Sequence, residues 1–586
     1  MITYRCYGSH APSCTKDGIS EREKTYIDIP SSTCKICGSR EHVKTVSKLY
    51  WCHSCRIPLY EPVCSLCHSS AEQFVSDCRI VFPEERLLLE LILGEKPGFF
   101  DKSSVWNGAG NHYYVDGIKL PVKIAELHQL DIPRLRSRYM EHVGNLRADY
   151  FEDMLSRFVR ANQRRFHELE QEAMQYIQDV AADYGEEELF VSFSGGKDST
   201  VVADLVRRAL ANAGIVHIFG DTTLEFPDTY RYVEAYRRAY PDVYMISVRN
   251  EDKDFAGLCD VLGPPSRVMR WCCTVFKTGA LNRGIESVFR HSSRILSFQG
   301  IRRNESVGRS KYDRTSVASK IGRQVVAAPI IDWFDFDVWL YIASTGIMFN
   351  HAYRLGYTRV GCWCCPNNSL WSEFLSRIHM AEEYKDFHEK LVDFACRIGK
   401  PDPHEYVDSG NWKARQGGNG LALARSSVIS DTPCVQETHS FYYDLTRPLE
   451  TGFYELFKPF GIPDFEMGNR RLGEVYIVNR DSVPVLRIQG RLRDTRVKII
   501  LDSIELMGVK SIAKAKSMVE CQITKYQMCI GCRACESVCR FGAIRISDRE
   551  GDVEYRIDST RCKGCRECVN HFNKGCYMRK ILTIKR

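Results

Sequence analysis

The chain has 586 residues, a formal net charge of +7, and a composition of 44% hydrophobic and 26% charged residues. This length exceeds what one ordinary core supports, so we expect three or four globular domains. The first residues lack a signal-peptide pattern, and no apolar run approaches the roughly 20 residues that a membrane helix needs. The sequence therefore predicts a cytoplasmic protein without membrane segments.

Most of the 26 cysteines fall in CxxC-type clusters near the two ends of the chain, with a sparser set in the middle. In a long chain without a secretory signal, clustered pairs favour metal ligation over disulfide bonds. We therefore expect metal-binding regions in a protein of a reducing compartment.

Patterns along the chain predict a multidomain protein with five regions. Apolar strands alternate with amphipathic helices in the middle, which predicts an α/β domain with a parallel sheet. The predicted regions are a cysteine-rich region at 1–80, a mixed and then helical connecting region at 81–185, the α/β domain at 186–396, a mixed accessory region of unassigned role at 397–505, and a second cysteine-rich region at 506–586.

Three CxxC pairs occur in the N-terminal region, and two such pairs make one tetrahedral four-cysteine zinc site. A closed site of this kind has no open coordination position, so the predicted role of Zn²⁺ is structural, with nucleic-acid contact as the second option. We prefer the pairs within 52–67 because this run is compact. The candidate ligands are Cys52, Cys55, Cys64 and Cys67, or alternatively Cys34 and Cys37 with Cys52 and Cys55, with Cys6 and Cys14 as ligands of a second metal.

The connecting region becomes helical and arginine-rich from Pro133, and its amphipathic pattern continues to about Asp183. Arginines within 134–165 are compatible with a nucleic-acid surface, although solvated helix faces commonly have the same composition. These arginines indicate either a surface that binds nucleic acid, which would then be a candidate acceptor in the reaction, or the charged face of a solvated helix.

A glycine-rich loop follows the first strand of the α/β domain, at Ser194-Gly195-Gly196-Lys197-Asp198-Ser199. Glycines let backbone N–H groups approach phosphate, and the start of a helix favours an anion. Lys197 adds a positive charge, and Asp198 is a candidate ligand of Mg²⁺. The spacing differs from that of a Walker loop.

In full, SFSGGKDST resembles the PP-loop of the adenine-nucleotide α-hydrolase superfamily, which includes ATP pyrophosphatases and the phosphoadenylyl-sulfate (PAPS) reductase family. Two further segments support the resemblance: 221–229 is similar to the family's DTG-x-x-FPET, and 300–309 is similar to its GxRxxES…R element. The resemblance covers about 188–370. Archaeal-type members also carry a zinc ribbon that resembles 52–67.

This resemblance implies an α/β nucleotide domain that binds ATP with Mg²⁺. Arginines of the third segment would face phosphate or sulfate with forked donors, and the alternative is that Arg302, Arg303 and Arg309 are solvated loop charges. The implied catalytic residues are Lys197, Asp198 and Arg302, and the implied nucleotide-binding residues are Ser194, Gly195, Gly196, Lys197, Asp198, Ser199, Asp221, Thr222, Arg302 and Arg309.

A further cysteine set lies inside the α/β domain, where two adjacent cysteines precede a GCWCCP run by about ninety residues. This arrangement resembles the [4Fe–4S] site of assimilatory adenylyl-sulfate reductases. Cys364 is left over as a free thiol or a competing ligand. The implied ligands are Cys272, Cys273, Cys362 and Cys365.

The C-terminal cysteines have the spacing of a bacterial two-[4Fe–4S] ferredoxin, which implies an α+β ferredoxin-like domain that transfers electrons. Two departures are Phe541, which follows Arg540 where the family has proline directly after the fourth cysteine, and the longer separation of Cys568 from Cys576. The resemblance implies one cluster on Cys529, Cys532, Cys535 and Cys576, and a second on Cys562, Cys565, Cys568 and Cys539.

Three functions are consistent with these motifs. We prefer an ATP pyrophosphatase that adenylates an acceptor for sulfur insertion, as in thiolation enzymes and DNA phosphorothioation systems, with a cysteine desulfurase as sulfur donor. Lys197 in the loop and the absence of an ECG-x-H motif favour it. The alternatives are a ferredoxin-fused adenylyl-sulfate or PAPS reductase that releases sulfite, and a non-catalytic subunit in which the nucleotide gates electron transfer. Each implies a redox partner.

Overall fold

The computed structural model describes residues 3–6, 27–28, 33–34, 43–306, 308–317, 323–426, 429–549, 552–572 and 576–584. Side chains are described from Ser47 onward, with the exception of Arg549. Within the described ranges, no helix combines the length and apolar character required to cross a membrane.

The N-terminal region consists of short antiparallel strands. The strand at 3–6 pairs with the one at 43–46, and the strand at 50–52 pairs with both of its neighbours in a three-stranded sheet. The alternative zinc ligand Cys37, as well as Cys14, lies outside the described residues, as do the side chains of Cys6 and Cys34. The strands are β1 Thr3–Cys6, β2 Ile27–Asp28, β3 Thr33–Cys34, β4 Val43–Val46, β5 Tyr50–Cys52, β6 Ile57–Leu59 and β7 Glu72–Gln73.

The connecting region combines a four-stranded antiparallel sheet with helices, as its sequence pattern predicts from Pro133 onward. The last helix buries Leu169, Ala173, Ile177 and Ala181, which are four residues apart and so share one face. The elements are β8 Cys78–Ile80, α1 Pro83–Ile92, β9 Val105–Gly108, β10 His112–Val115, β11 Ile118–Lys119, α2 Ile132–His142, α3 Asp149–Ala161 and α4 Gln163–Ala181.

The α/β domain contains the predicted sheet. Five strands are parallel in the order β14-β13-β12-β15-β17, and β16 adds an antiparallel edge. The elements are β12 Leu189–Phe193, α5 Lys197–Ala209, β13 Val216–Gly220, α6 Pro227–Ala239, β14 Met245–Val248, α7 Phe255–Leu262, α8 Gly279–Val288, β15 Ile295–Gln299, β16 Thr315–Ser316, β17 Gln324–Ala327, α9 Asp335–Thr345, α10 Leu370–His379 and α11 Ala381–Arg397.

Parallel pairing explains why the three sequence segments of the nucleotide motif meet. The carboxyl ends of parallel strands lie at one edge of a sheet, where ligands bind in open α/β folds. The glycine-rich loop follows β12, the segment 221–229 follows β13, and the segment 300–309 follows β15. All three therefore lie at the same edge.

The accessory region forms a six-stranded antiparallel sheet in the order β18-β19-β23-β22-β21-β20. The segments EVYIVN and VPVLRI supply β21 and β22. The elements are α12 Pro403–Asp408, α13 Ala422–Arg425, β18 Ser430–Pro433, β19 Ser440–Asp444, α14 Gly452–Glu455, β20 Ile462–Asp464, β21 Glu474–Val478, β22 Pro484–Gln489 and β23 Arg496–Leu501.

The C-terminal region packs on this accessory sheet. One hydrophobic core extends from Tyr443 to Val569, so it crosses the predicted boundary at residue 505. Similarly, one core extends from Leu49 to Met380 and joins the first three predicted regions. The C-terminal elements are α15 Ile512–Met528, α16 Ala534–Val538, β24 Ile544–Arg549, β25 Asp552–Ile557, α17 Glu567–Asn570 and α18 Tyr577–Leu582.

A buried ion pair attaches helix α1 to strand β8. The Arg79 guanidinium donates to the two Glu85 carboxylate oxygens at 2.6 and 2.5 Å, and the Tyr113 hydroxyl donates to the same carboxylate at 2.6 Å. Glu85 is fully buried, and Arg79 is 4% exposed. Loss of one partner would therefore leave a charge with no water to solvate it.

We expect Glu85→Ala to lower the free energy of unfolding of the N-terminal core by about 3–5 kcal/mol, because Arg79 keeps an uncompensated buried charge. Urea unfolding followed by circular dichroism measures this change. The control is Glu168→Ala, which removes a solvent-exposed partner of Arg164 at 3.2 Å and should cost less than about 1 kcal/mol. Equal effects of the two substitutions would contradict the interpretation.

Candidate functional site

The glycine-rich loop connects the end of β12 to the first turn of α5. Gly195 has a φ of +69°, and a Cβ atom there would lie 2.8 Å from the Thr229 Cγ2 atom, so a side chain is excluded on both grounds. Helix α5 begins at Lys197, whose backbone N–H donates to the Tyr353 hydroxyl at 3.0 Å. The loop therefore leads directly into the first turn of a helix, as the sequence predicts, and anion binding at this point stays a prediction.

Two cations and two carboxylates form a buried network behind this loop. The Lys197 ammonium lies 3.0 Å from the Asp198 carboxylate and 3.2 Å from that of Asp335. The Arg302 guanidinium contacts the same two carboxylates at 2.7 and 2.9 Å. Each cation thus touches both anions, and the predicted catalytic residues Lys197, Asp198 and Arg302 are in direct contact.

The network keeps its members charged. Burial alone would lower the pKa of Lys197, but the carboxylates of Asp198 and Asp335 raise it above its ordinary value. Burial alone would raise the pKa of Asp335, but Lys197 and Arg302 hold it well below its usual range. The four charges sum to zero, which makes their burial tolerable.

Asp77 and Asp335 belong to this site and carry no sequence motif that identifies them. The Asp77 carboxylate accepts hydrogen bonds from the backbone N–H groups of Asp335 and Phe336, each at 3.0 Å. Burial and the nearby charge of Asp335 raise the pKa of Asp77 to about 7. Asp77 lies within the predicted region 1–80, but in the structure it leads into β8, the first strand of the connecting sheet. The connecting region therefore begins before residue 81 and supports the first turn of α9.

The surroundings of Gly300 explain why the third motif segment has a glycine at this position. A Cβ atom at this position would lie 2.6 Å from the Asp198 carbonyl carbon and 2.7 Å from the Ser199 nitrogen. The backbone after β15 therefore passes against the backbone of the glycine-rich loop. In the same segment, the guanidinium of Arg309 contacts the carboxylate of Glu305.

The segment after β13 links the nucleotide motif to the central cysteines. Asp221 accepts a hydrogen bond from the Tyr230 hydroxyl at 2.8 Å. The Thr222 hydroxyl donates to the Glu225 carboxylate at 2.7 Å and lies 3.4 Å from the Cys362 sulfur. Glu225 also forms an antiparallel backbone bridge with Cys362.

The structure brings the predicted central cysteines together. A hydrogen bond with Cys273 and burial raise the pKa of the Cys272 thiol, and the nearby thiols of Cys362 and Cys365 raise it further. The pair Cys272–Cys273 stands at the start of a π-helical turn at Cys273–Thr278. Burial also raises the pKa of the leftover Cys364, whose side chain is 6% exposed.

The N-terminal cysteines Cys52, Cys55, Cys64 and Cys67 form a much tighter group. The Cys52 and Cys67 sulfurs are 3.5 Å apart, and those of Cys55 and Cys64 are 3.8 Å apart. All four sulfurs lie within 4.8 Å of one another, which no other ligand group among the described residues matches. A single ion with Zn–S bonds of about 2.3 Å places its tetrahedral sulfurs about 3.8 Å apart. These residues therefore form a four-cysteine metal-binding site.

The C-terminal cysteines separate into the two predicted sets. Burial raises the pKa of the Cys532 thiol, and the thiols of Cys529, Cys535 and Cys576 raise it further. A small cavity is lined by the other set, together with apolar side chains of the β24–β25 hairpin. Its cysteines are Cys539, Cys562, Cys565 and Cys568.

Two buried polar groups stand between these sets. The Lys525 ammonium donates to the Cys568 carbonyl oxygen at 2.9 Å and forms no ion pair with a carboxylate in the described part of the chain. The Tyr555 hydroxyl is buried and has no hydrogen-bond partner among the described residues. Cys535 and Cys568 are its charged neighbours. Such groups fit a site that holds negative charge.

The C-terminal set with Cys532 adjoins the central set. The Tyr577 hydroxyl donates to the Arg270 carbonyl oxygen at 3.2 Å. Burial raises the pKa of Tyr577, and the thiols of Cys532, Cys273 and Cys272 raise it further. Cys272 and Tyr577 both pack against one hydrophobic core that contains Cys532 and Cys576.

Ion pairs fix the C-terminal region against the α/β domain near this point. Arg283 on α8 contacts Glu536 on α16 at 3.3 Å. Lys253 pairs with Asp548, and Asp252 pairs with the guanidinium of Arg533. Ion pairs between the α/β domain and the C-terminal region thus hold the surface that carries the C-terminal cysteines in place.

These features define a multidomain protein. It has a parallel α/β domain with a nucleotide-binding motif and three cysteine-rich regions with the ligand patterns of metal sites. Residues 188–368 match the phosphoadenosine phosphosulfate reductase domain, and residues 528–571 match the 4Fe-4S dicluster domain. The chain therefore carries a PAPS reductase domain followed by a C-terminal 4Fe-4S dicluster domain. The matched ranges confirm the resemblance that the glycine-rich loop and the C-terminal cysteines predict.

The chain is similar to two uncharacterised proteins of Methanocaldococcus jannaschii, one 34% identical over 37% of this chain and the other 30% identical over 46%. It spans 44% and 62% of the length of these two relatives. An adenosine 5'-phosphosulfate reductase of Anoxybacillus flavithermus is 26% identical over 34% of this chain and 82% of its own. A phosphoadenylyl-sulfate reductase structure from Candida auris has 16% identity and a TM-score of 0.27 over 35% of this chain and 97% of its own.

The C-terminal residues fit two [4Fe–4S] clusters. Each set supplies four cysteines. The buried Lys525 ammonium donates to a carbonyl oxygen, and the buried Tyr555 hydroxyl has no acidic or carbonyl partner among the described residues. Thiolate-ligated clusters carry the negative charge that such groups need, and they supply one-electron transfer when bound. Cys529, Cys532, Cys535 and Cys576 would hold one cluster; Cys539, Cys562, Cys565 and Cys568 would hold the other.

We expect Gly300→Ala to weaken adenine-nucleotide binding at least about tenfold, a cost of about 1.4 kcal/mol, because the new methyl group displaces the backbone of Asp198 and Ser199. Isothermal titration with ATP and with adenylyl sulfate measures the affinity. Gly144→Ala is the control, since a Cβ atom there meets no atom within 4 Å. An unchanged affinity for both nucleotides would refute the proposed packing.

We expect Cys64→Ser to remove one tightly bound metal ion per chain without changing the iron content, because a single ion needs all four sulfurs of its site. Inductively coupled plasma mass spectrometry of the anaerobically purified protein measures zinc and iron together. Cys78→Ser is the matched control, because Cys78 is also buried but lies outside the group. Metal loss in both variants, or in neither, would argue against this ligand set.

Proposed function

We propose that this protein is a reductase that cleaves an adenylyl sulfonucleotide, either adenylyl sulfate or PAPS, and releases sulfite with electrons delivered through its C-terminal region. The observation that carries the proposal is the packing that joins the dicluster region to the nucleotide motif. Cys272 and Tyr577 pack against one core with Cys532, and the Thr222 hydroxyl lies 3.4 Å from the Cys362 sulfur. An electron-transfer region in this position is suited to reduction at the nucleotide.

The residues at the carboxyl edge of the sheet suit the binding of such a substrate. The backbone N–H groups at the start of α5 bind an anionic group, and Lys197 and Arg302 add positive charge behind the loop. Arg359 and Arg270 are charged neighbours of Cys365, so cations also lie near the central cysteines. The sulfonate end of the substrate would lie against these cations.

The reaction needs two electrons and one proton. The sulfur–oxygen bond of adenylyl sulfate breaks, the oxygen stays on the phosphate, and sulfur leaves as bisulfite, so the products are AMP and bisulfite. With PAPS the nucleotide product is adenosine 3',5'-bisphosphate. The electrons come from an external one-electron donor of the ferredoxin or flavodoxin class. The adenosine 5'-phosphosulfate reductase among the relatives supports this reaction type.

The central cysteines support the proposal in a second way. Cys272, Cys273, Cys362 and Cys365 are partly buried neighbours of one another next to the nucleotide motif, and we propose that they hold a third [4Fe–4S] cluster. The same reasoning leads us to propose Zn²⁺ as the ion of the tight Cys52 group, where its role is structural.

ATP-driven sulfur insertion is the second candidate, and Lys197 favours it. A lysine in this loop suits a nucleotide with additional phosphates, which the sulfonucleotides lack at that position. In this reaction an oxygen of the acceptor attacks the α-phosphate of ATP, pyrophosphate leaves, and persulfide sulfur from a cysteine desulfurase then displaces AMP. DNA, tRNA and small metabolites are the candidate acceptors, and the bound Mg²⁺ would contact Asp198.

We expect the anaerobically purified protein with reduced methyl viologen to release sulfite from adenylyl sulfate or PAPS, and to release no pyrophosphate from ATP and Mg²⁺. Lys197→Met should lower sulfite release at least about tenfold by removing a charge that each carboxylate of the network contacts. Lys385→Met, an exposed lysine on α11, is the control. Cys272→Ser should abolish sulfite release and leave nucleotide binding intact.

The alternatives give different results in the same assay. Pyrophosphate release that depends on Lys197, without sulfite, would overturn the reductase proposal and identify an adenylating enzyme. Nucleotide binding with neither product, but with a nucleotide-dependent change in the rate of cluster reduction, would identify a non-catalytic subunit in which the nucleotide gates electron transfer.

A further inference from the structure

Helix α15 carries a lysine into the middle of the C-terminal cysteines. Lys525 is 2% exposed, although lysine is among the residues that proteins bury least often. Cys521, four residues earlier, is also buried and lies on the same helix face. This helix precedes the cysteine-ligand runs, so it adds a charge to the cluster region from outside the ferredoxin-like motif.

The surroundings of Lys525 come from both cysteine sets. The thiol neighbours of its ammonium are Cys521, which belongs to neither set, Cys535 and Cys576 of one set, and Cys568 of the other. Its Nζ atom donates to the Cys568 carbonyl oxygen at 2.9 Å and lies 5.9 Å from the centre of the Tyr555 ring. In the described part of the chain it forms no ion pair with a carboxylate.

A buried ammonium without a counter-charge is costly, because removing it from water is offset only by a nearby anion or strong acceptors. A single carbonyl oxygen does not offset a full charge. Clusters held by the two sets of four thiolates would carry negative charge close to this position. Such charge would offset that of the buried Lys525 ammonium.

We propose that Lys525 is the shared counter-ion of the two C-terminal [4Fe–4S] clusters and that it raises the reduction potential of both. One-electron reduction adds a negative charge to a cluster, and a fixed positive charge close to the sulfurs stabilises the reduced form. Because one ammonium lies between both clusters, it also offsets the repulsion between two added electrons. The C-terminal region can then hold two electrons at once.

This inference rests on the dicluster region and not on the identity of the nucleotide substrate. The sulfonucleotide reduction proposed above consumes two electrons, which is the number that the two C-terminal clusters would store. Its test measures cluster potentials without substrate, so its failure and a failure of sulfite release are separate outcomes.

The test is an EPR-monitored redox titration of the full-length, anaerobically reconstituted protein, with iron and sulfide determined for each sample. Lys525→Met keeps the length of the side chain and removes its charge. We expect the C-terminal clusters of this variant to be at least about tenfold less reduced at a given potential, which corresponds to a downward shift of about 59 mV for a one-electron couple. Lys525→Arg keeps the charge and should titrate like the parent.

Lys514→Met is the matched control, because Lys514 is an exposed lysine on the same helix. Unchanged potentials in a fully loaded Lys525→Met protein would overturn the proposal. If Lys525→Met loses iron, Lys525→Gln is tested in the same way. Iron loss in the Met and Gln variants together with full loading of the Arg variant supports the counter-ion role. Iron loss in all three variants overturns it, because packing would then explain the lysine.

Discussion

The buried network of Lys197, Asp198, Arg302 and Asp335 is the interaction on which the nucleotide edge of this protein depends. Its charges sum to zero only when every partner is present, and loss of either carboxylate would leave the buried Lys197 and Arg302 cations with less compensation. The network also joins three separate parts of the α/β domain: the start of α5, the segment after β15, and the start of α9. Asp77 extends it into the connecting region.

This constraint explains why the first three predicted regions fold around one core. The connecting region is more than a linker, because it supplies Asp77 to the first turn of α9. It also holds the module that carries the four N-terminal metal-site cysteines through Asn162, whose side chain accepts from the Tyr60 N–H at 2.9 Å and donates to the Pro58 carbonyl oxygen at 3.1 Å. That module therefore has a defined position relative to the nucleotide edge.

The distances between sulfurs distinguish two kinds of metal region. The N-terminal sulfurs lie at the spacing of a single tetrahedral ion, whereas the central and C-terminal cysteines are less tightly grouped among the described residues and range from buried Cys532 to exposed Cys565. A cube of four irons holds its thiolates further apart than one ion does. The less tightly grouped sets follow one another from the dicluster region through Tyr577 to the nucleotide motif, which is the arrangement a reductase requires.

The sequence by itself determined the glycine-rich loop, the parallel βαβ order and the cysteine sets, because each depends on local spacing: glycines at a turn, alternation of strands and helices, and thiols two residues apart. The match at 188–368 agrees with the range predicted from these motifs. Only the tertiary structure decided the roles of Asp77, Asp335 and Lys525, the shared cores, and the packing of Tyr577 and Cys272 against the core that contains Cys532. These depend on which buried charges and side chains meet across hundreds of residues, and such pairings leave no local pattern in the chain.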